Sequence, residues 1–170
     1  MSFKAIQRAL VAVVAAATIA VVGGASARAT DTVVVNLAAC AFGGGTTTVP
    51  SGAPIVIREP GYAQGTYGLI NDFLLKQHTT LTIAGATNRI YDLSGQWGAP
   101  QQVDRKLWVT RLPNTELGVT LAPGETVVAT FDITFQHPLL VAYPPVGSSG
   151  DNGPYLITED GPLSCAITAT

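Results

Sequence analysis

The sequence predicts an all-β protein, an antiparallel sandwich with one short helix, that follows an N-terminal signal peptide. In residues 125–136, apolar side chains recur at every second position from Val127 to Phe135, and the positions between them are polar except for Val128, which is the pattern of a strand with one buried face. The chain also contains 18 Gly and 11 Pro, which separate short β-prone segments, as is typical of a sandwich or a barrel. The first 29 residues have the composition of an export signal.

The amino-terminal segment has the three parts of a secretory signal peptide. Lys4 and Arg8 supply positive charge, residues 9–22 are almost entirely apolar, and small residues follow as far as Ala29. An apolar helix of this length would span about 21 Å, which is short of the roughly 30 Å hydrocarbon core of a bilayer. We therefore expect cleavage and secretion rather than anchoring, and a mature single β-sandwich domain, residues 30–170, without a stable membrane span.

Charge and composition exclude several classes of protein. The chain is 47% apolar and only 12% charged, so an intrinsically disordered tail is not expected. Loss of Lys4, Arg8 and Arg28 with the signal would leave six basic against eleven acidic side chains. Such a mildly acidic protein lacks the basic stripe of a nucleic-acid binder. We expect no cofactor, no nucleic-acid partner, and a protein or glycan partner at the cell exterior.

Two cysteines remain in the mature chain, Cys40 and Cys165, each in a segment predicted as a strand. In an oxidising extracellular environment such a pair is expected to form one disulfide between the first and last strands. An alternative is lipidation, because residues 37–40 (Leu-Ala-Ala-Cys) resemble the lipobox of bacterial lipoproteins. Arg28 and Asp31 interrupt the apolar run before this box, and Cys165 would be left unpaired, so the disulfide is favoured.

Alternation or bounding turn residues predict the strands in chain order. They cover residues 32–40, 54–58, 79–83, 89–93, 103–112, 117–121, 127–136, 138–143, 155–158 and 163–168. The loop 84–88 suits a hairpin. Residues 122–125 (Ala-Pro-Gly-Glu) have the central Pro and Gly of a type II turn, which predicts a second hairpin between 117–121 and the strand that follows. His137 precedes a proline and is expected to end that strand.

One segment departs from the strand period. Its apolar residues recur at the spacing of one helical stripe: Leu69, Ile70, Phe73 and Leu74. Thr66 precedes them as a candidate N-cap. The pattern predicts a short helix over residues 67–77 that closes one open end of the sandwich.

Residues 121–131 (Leu-Ala-Pro-Gly-Glu-Thr-Val-Val-Ala-Thr-Phe) resemble a strand–turn–strand element of immunoglobulin-like domains in bacterial secreted and surface proteins. In those domains a Pro-Gly-Glu turn leads into an alternating strand that ends in an aromatic residue. The resemblance implies an immunoglobulin-like sandwich, with a jelly-roll-like one as the other arrangement. It also implies an adhesive, spacer or accessory binding role, and no functional residue is carried over from it.

No catalytic residue is predicted. His78 and His137 belong to no zinc-binding spacing, and residues 147–150 (Gly-Ser-Ser-Gly) lack the spacing of a nucleophile elbow. The sequence does not show which carboxylates meet in space, so a small secreted hydrolase with a dispersed site stays an alternative. Candidate acids for a glycosidase pair are Glu59, Asp72, Asp92, Asp104, Glu116 and Glu125. A non-catalytic module is preferred because few loops are long enough to build a cleft.

A calcium site is a hypothesis for the loop around residues 147–153 and the segment after it. Asp151, Asn152, Glu159 and Asp160 offer the oxygen ligands that calcium prefers. Their spacing is not that of an EF-hand loop, and Asp-Asn-Gly also forms turns.

Loop aromatic residues suggest a second function class. Trp97 lies in a Gly/Pro-rich loop, and Tyr62 and Tyr67 lie in the loop 61–68. Aromatic side chains at loop tips can stack on sugar rings, so a small carbohydrate-binding protein is the alternative function. The competing interpretation is that Trp97 folds back over the core. Trp108 is expected to pack between strands or to cover a sheet face.

Overall fold

The computed structural model describes residues 31–86, 88–105, 107–141 and 155–170. The predicted signal peptide and the loop with Asp151 and Asn152 lie outside the described residues. The described part is mainly β, as predicted, and consistent with a sandwich, but it contains two helices rather than one. The elements are β1 (Val33–Asn36), α1 (Leu37–Phe42), β2 (Thr46–Val49), β3 (Ile55–Arg58), β4 (Tyr62–Gln64), α2 (Tyr67–Lys76), β5 (Gln77–Ala84), β6 (Arg89–Asp92), a 3₁₀ turn (Ser94–Gln96), β7 (Gln101–Asp104), β8 (Leu107–Thr110), β9 (Thr115–Glu116), β10 (Thr126–Val141) and β11 (Tyr155–Ala169).

The largest sheet has the strand order β2-β11-β10-β5-β6. Its centre is the long antiparallel pair β10–β11, and β5 pairs antiparallel with both β10 and β6. The β5–β6 pair confirms the hairpin predicted around residues 84–88. The alternation predicted over residues 127–136 is also confirmed, because one set of side chains is buried: Val127, Ala129, Phe131, Ile133 and Phe135.

Two smaller sheets complete the described fold, with the orders β1-β3-β9 and β4-β8-β7. The sheets β1-β3-β9 and β2-β11-β10-β5-β6 are mixed, since β1 runs parallel to β3 and β2 runs parallel to β11, whereas β4-β8-β7 is antiparallel throughout. Strands from all three sheets and both helices contribute to one buried apolar cluster. That shared core is what fixes the positions of the surface residues considered below.

The predicted helix is confirmed as α2. The Thr66 hydroxyl accepts a hydrogen bond from the Leu69 amide at 3.3 Å, so the threonine caps the helix as expected. Ile70 and Phe73 are buried, and the helix packs against β4, β8 and β10. The helix ends at Lys76, and Gln77 begins β5.

The strand predicted over residues 32–40 is wrong beyond Asn36. The Asn36 side chain accepts a hydrogen bond from the Ala39 amide at 3.0 Å and caps α1, so Cys40 lies on a helix. The Leu-Ala-Ala sequence that follows favours a helix once such a cap is present.

The hairpin predicted between residues 117–121 and the following strand is also wrong. Gly118 has φ +59°, a left-handed conformation that interrupts an extended strand, and β9 is only two residues long and pairs with β3. The turn itself forms as predicted. The Glu125 amide donates to the Ala122 carbonyl at 2.9 Å, and Gly124 has the positive φ, +77°, of a type II turn.

The expectation that His137 ends a strand is wrong as well, because β10 runs on through His137 and Pro138 to Val141. The pairing with β11 changes register between Thr134 and Leu139. An irregularity of this kind accommodates a proline, which has no amide hydrogen to donate to the ladder.

Within the described residues, neither helix has the length and apolar character needed to cross a bilayer.

Candidate functional site

The predicted disulfide between Cys40 and Cys165 is present, with a Cα–Cα distance of 5.7 Å. It joins α1 to β11 across 125 residues of sequence, and Cys165 is fully buried. The lipid-anchor alternative at Cys40 is therefore wrong for this structure, since the lipid would need the sulfur that is already bonded to Cys165.

The structure places Tyr62 in the core. Its ring is stacked on Phe73, with centroids 3.7 Å apart and planes inclined by 10°. The Tyr62 hydroxyl accepts a hydrogen bond from Gln64 Nε2 at 2.9 Å. Burial raises the pKa of this hydroxyl above its ordinary value. Tyr62 is thus a buried core residue that packs against Phe73 of α2.

Trp97 folds back over the core. Its ring meets Phe73 edge to face at a centroid distance of 5.0 Å, and its Nε1 donates to Thr79 Oγ1 at 3.0 Å. The indole is half-buried. This arrangement fits the interpretation that Trp97 folds back over the core rather than the interpretation that it stacks on a sugar ring at a loop tip.

Tyr67, the first residue of α2, is the predicted aromatic residue that reaches the surface, with an exposed fraction of 51%. Its ring contacts Trp108 with centroids 5.0 Å apart and planes inclined by 70°. The sequence analysis placed Trp108 between strands or over a sheet face and did not select it as a site residue. Its contact with Tyr67 depends on how α2 lies over β8, which no local pattern encodes.

The candidate calcium ligands are only partly described. Glu159 and Asp160 lie on β11 opposite Thr134 and Ile133 respectively. As neighbours in a strand they point to opposite faces of the sheet. Among the described residues, no three acidic, histidine or cysteine side chains are grouped to hold a metal ion. With Asp151 and Asn152 outside the described part, the calcium site stays a prediction.

A hydrogen-bonded cluster that the sequence analysis missed lies around Ser94. The Ser94 hydroxyl donates to Asp92 Oδ1 at 2.6 Å, accepts from the Thr79 amide at 3.0 Å, and lies 3.0 Å from His78 Nδ1. The Ser94 hydroxyl and amide, which both donate to Asp92, lower the pKa of that carboxyl. The side chains meet because β5 and β6 pair.

This cluster does not have the geometry of a hydrolytic triad. In a triad the histidine lies between serine and aspartate and accepts the serine proton. Here Ser94 lies in the middle and gives its single proton to Asp92, which leaves its lone pairs for the Thr79 amide and His78. The cluster therefore fastens the 3₁₀ turn to β5 and does not activate Ser94 as a nucleophile.

Two other candidate acids each interact with a separate partner, and a third is buried. Asp72 forms an ion pair with Lys76 at 2.7 Å, and Glu125 accepts a hydrogen bond from the Ala122 amide at 2.9 Å. Glu59 is buried, and neither carboxyl oxygen has a hydrogen-bond partner in the described part of the chain. Desolvation raises the pKa of Glu59, although nearby Thr115 partly offsets this.

Comparison with known proteins adds no relative. No family model, curated protein or solved structure matches the chain. The likeness of residues 121–131 to immunoglobulin-like domains therefore stays a prediction.

Proposed function

We propose that this chain is a secreted, non-catalytic binding or structural module of the cell exterior. The observation that carries the proposal is the Cys40–Cys165 disulfide, which joins the two ends of the predicted mature chain beside a buried core. Disulfides of this kind persist in oxidising compartments. The composition of residues 1–29 supports the same location.

Two features support binding rather than catalysis. The Ser94 proton is committed to Asp92, which leaves no activated nucleophile in that cluster. About half of the Tyr67 side chain is exposed to solvent, so its ring is not part of the buried core. Exposed aromatic side chains are enriched at recognition surfaces because they bury a large area with few rotatable bonds.

The test is expression of the full chain in a secreting bacterial host. We expect the medium to contain a protein that begins near residue 30, carries one disulfide and has no lipid. Retention in the cell with the leader intact, free thiols, or a diacylglyceryl group on Cys40 would contradict the proposal.

The second arm measures turnover of chromogenic esters, peptides and glycosides by the secreted protein. We expect no turnover above that of a blank without protein, either by the parent or by the Ser94→Ala variant. Hydrolysis by the parent above the blank would show that the chain is an enzyme, and its loss in Ser94→Ala would assign the activity to the Ser94 cluster.

A further inference from the structure

We propose that Tyr67, Trp108 and Gln102 form a binding subsite for a neutral sugar ring of a polysaccharide. We call these three residues the aromatic corner. The inference rests on the proposed function, because it names the ligand class of the exported module.

The floor of the aromatic corner is a row of side chains across three strands. Trp108 on β8 lies opposite Gln64 on β4 and opposite Gln102 on β7. Residues directly opposed in antiparallel strands point to the same face. Gln64 at one end of the row is buried, Trp108 is half-buried, and Gln102 at the other end is exposed. The row therefore leads from the core out to solvent.

The wall of the aromatic corner is the Tyr67 ring. It meets Trp108 edge to face, at a centroid distance of 5.0 Å and an angle of 70°, so the two rings are inclined to each other and are not stacked in parallel. The helix that carries Tyr67 is fixed by the stacking of Phe73 on Tyr62. A recognition side chain on such a packed element is held in place before the ligand arrives.

The chemistry of the aromatic corner suits a sugar. A pyranose ring has a C–H face that packs on an aromatic ring and a rim of hydroxyl groups that need donors and acceptors. The Gln102 amide offers both a donor and an acceptor. None of the three side chains is charged. An apolar surface with a few placed polar groups is the usual composition of a small-ligand site, and here it favours a neutral ligand.

The test titrates the secreted full chain with cellohexaose, maltohexaose, chitohexaose and mannohexaose, followed by tryptophan fluorescence and by calorimetry. We expect saturable binding of at least one of them. Tyr67→Ala and Gln102→Ala should each weaken that binding at least about fivefold. Tyr67→Phe, which keeps the ring, should bind like the parent.

The matched control is Phe42→Ala, which removes another exposed ring, with an exposed fraction of 68%, from α1. This variant should bind like the parent. Thermal unfolding of every variant shows whether a loss of binding reflects a loss of folding, and Gln102→Ala, a change at an exposed residue, keeps the proposal falsifiable if Tyr67→Ala does not fold.

The assignment is overturned if none of the four oligosaccharides binds, or if Tyr67→Ala and Gln102→Ala bind as tightly as the parent. Binding only to an anionic glycan such as heparin would also overturn it. These failures differ from failure of the proposed function. If the chain is secreted, disulfide-bonded and inactive but binds none of the four oligosaccharides, only the assignment of a sugar ligand is contradicted. If the chain is retained in the cell or hydrolyses a substrate, the proposed function itself is contradicted.

Discussion

At the residue scale, Glu59 is a buried acid whose carboxyl oxygens make no hydrogen bond of ordinary geometry within the described residues, although Thr115 lies near enough to favour the charged form to a lesser extent than burial disfavours it. Desolvation favours the neutral form, and the pKa of Glu59 is accordingly raised. The carboxyl is then ionised less readily in the folded chain than in the unfolded one. Its contribution to stability is fully present below the ordinary pKa of 4.5 and is lost as the pH rises through the raised value.

Replacing Glu59 by glutamine should therefore stabilise the protein at pH 7, by roughly 0.5–2 kcal/mol, because an amide has no charge to desolvate. Denaturant unfolding between about pH 4 and pH 8 should show a flatter stability profile for Glu59→Gln than for the parent. Glu116→Gln, an exposed change on β9, is the control and should keep the slope of the parent. Parallel profiles for Glu59→Gln and the parent would contradict the argument.

Asp92 contributes a pH dependence of stability opposite in sign to that of Glu59. Hydrogen bonds from Ser94 stabilise its charged form and lower its pKa, so their contribution to stability is present above the ordinary pKa and is lost as the pH falls through the lowered one. Ser94→Ala should raise the pKa of Asp92 toward its ordinary value, as measured by NMR titration of the carboxyl carbon. Thr130→Ala, which removes a hydroxyl contact with Ser164 elsewhere on the sheet, should leave that titration unchanged. The backbone amide of residue 94 still donates to Asp92 in this variant, so an unshifted Asp92 pKa in Ser94→Ala would mean that the hydroxyl hydrogen bond does not govern its charge.

Single side chains were the hardest features to predict. Ser94 and His78 are 16 residues apart and meet only because β5 and β6 pair, so no local spacing marks them. Trp97 and Tyr67 both occur beside glycine in apparent loops, yet one covers the core and the other is exposed. The difference depends on Phe73, which Trp97 contacts edge to face. Such a tertiary contact is absent from the sequence pattern.

At the element scale, features with a local cause were predictable. α2 has its cap and its apolar stripe within a few residues, and the alternation of β10 repeats at every second position. α1 also has a local signal, its Asn36 cap. The run of valines before Asn36 predicts a strand, and that prediction was extended through the cap. The parallel strand pairs could not be predicted from the sequence. Val49 of β2, for example, lies beside Ala169 at the other end of the chain, and parallel strands are not joined by a tight turn that would mark them as partners.

The contribution of α2 to stability can be tested by truncating one side chain on its buried face and one on its exposed face. Phe73 is fully buried and contacts Tyr62, Trp97 and Phe135 through its ring, so Phe73→Ala should cost about 3–5 kcal/mol. Leu75 on the same helix has an exposed fraction of 75%, and Leu75→Ala should change the free energy of unfolding by less than about 0.5 kcal/mol. Urea unfolding of both variants measures the difference. Similar losses would mean that α2 does not pack through the Phe73 face.

At the scale of the whole molecule, the two ends of the predicted mature chain meet in the largest sheet and its adjoining helix. β2 is hydrogen-bonded to β11, and α1 is bonded to β11 through the disulfide. The sequence predicted this cross-link from export and cysteine count alone, although it placed Cys40 on a strand instead of a helix. The local error did not affect this prediction, because the chain contains only two cysteines that can pair with each other.

The same cross-link supplies a test of how the ends are held. A bond that closes a loop of 125 residues restricts the unfolded chain strongly, so the double variant Cys40→Ala/Cys165→Ala should lose about 2–4 kcal/mol of stability. Urea unfolding measures the loss. Adding dithiothreitol should lower the melting temperature of the parent and leave that of the double variant unchanged, which separates loss of the cross-link from the small change in packing around Cys165. If reductant destabilises both proteins equally, or neither, then the parallel β2–β11 pairing and the buried apolar cluster hold the two ends together without the covalent bond.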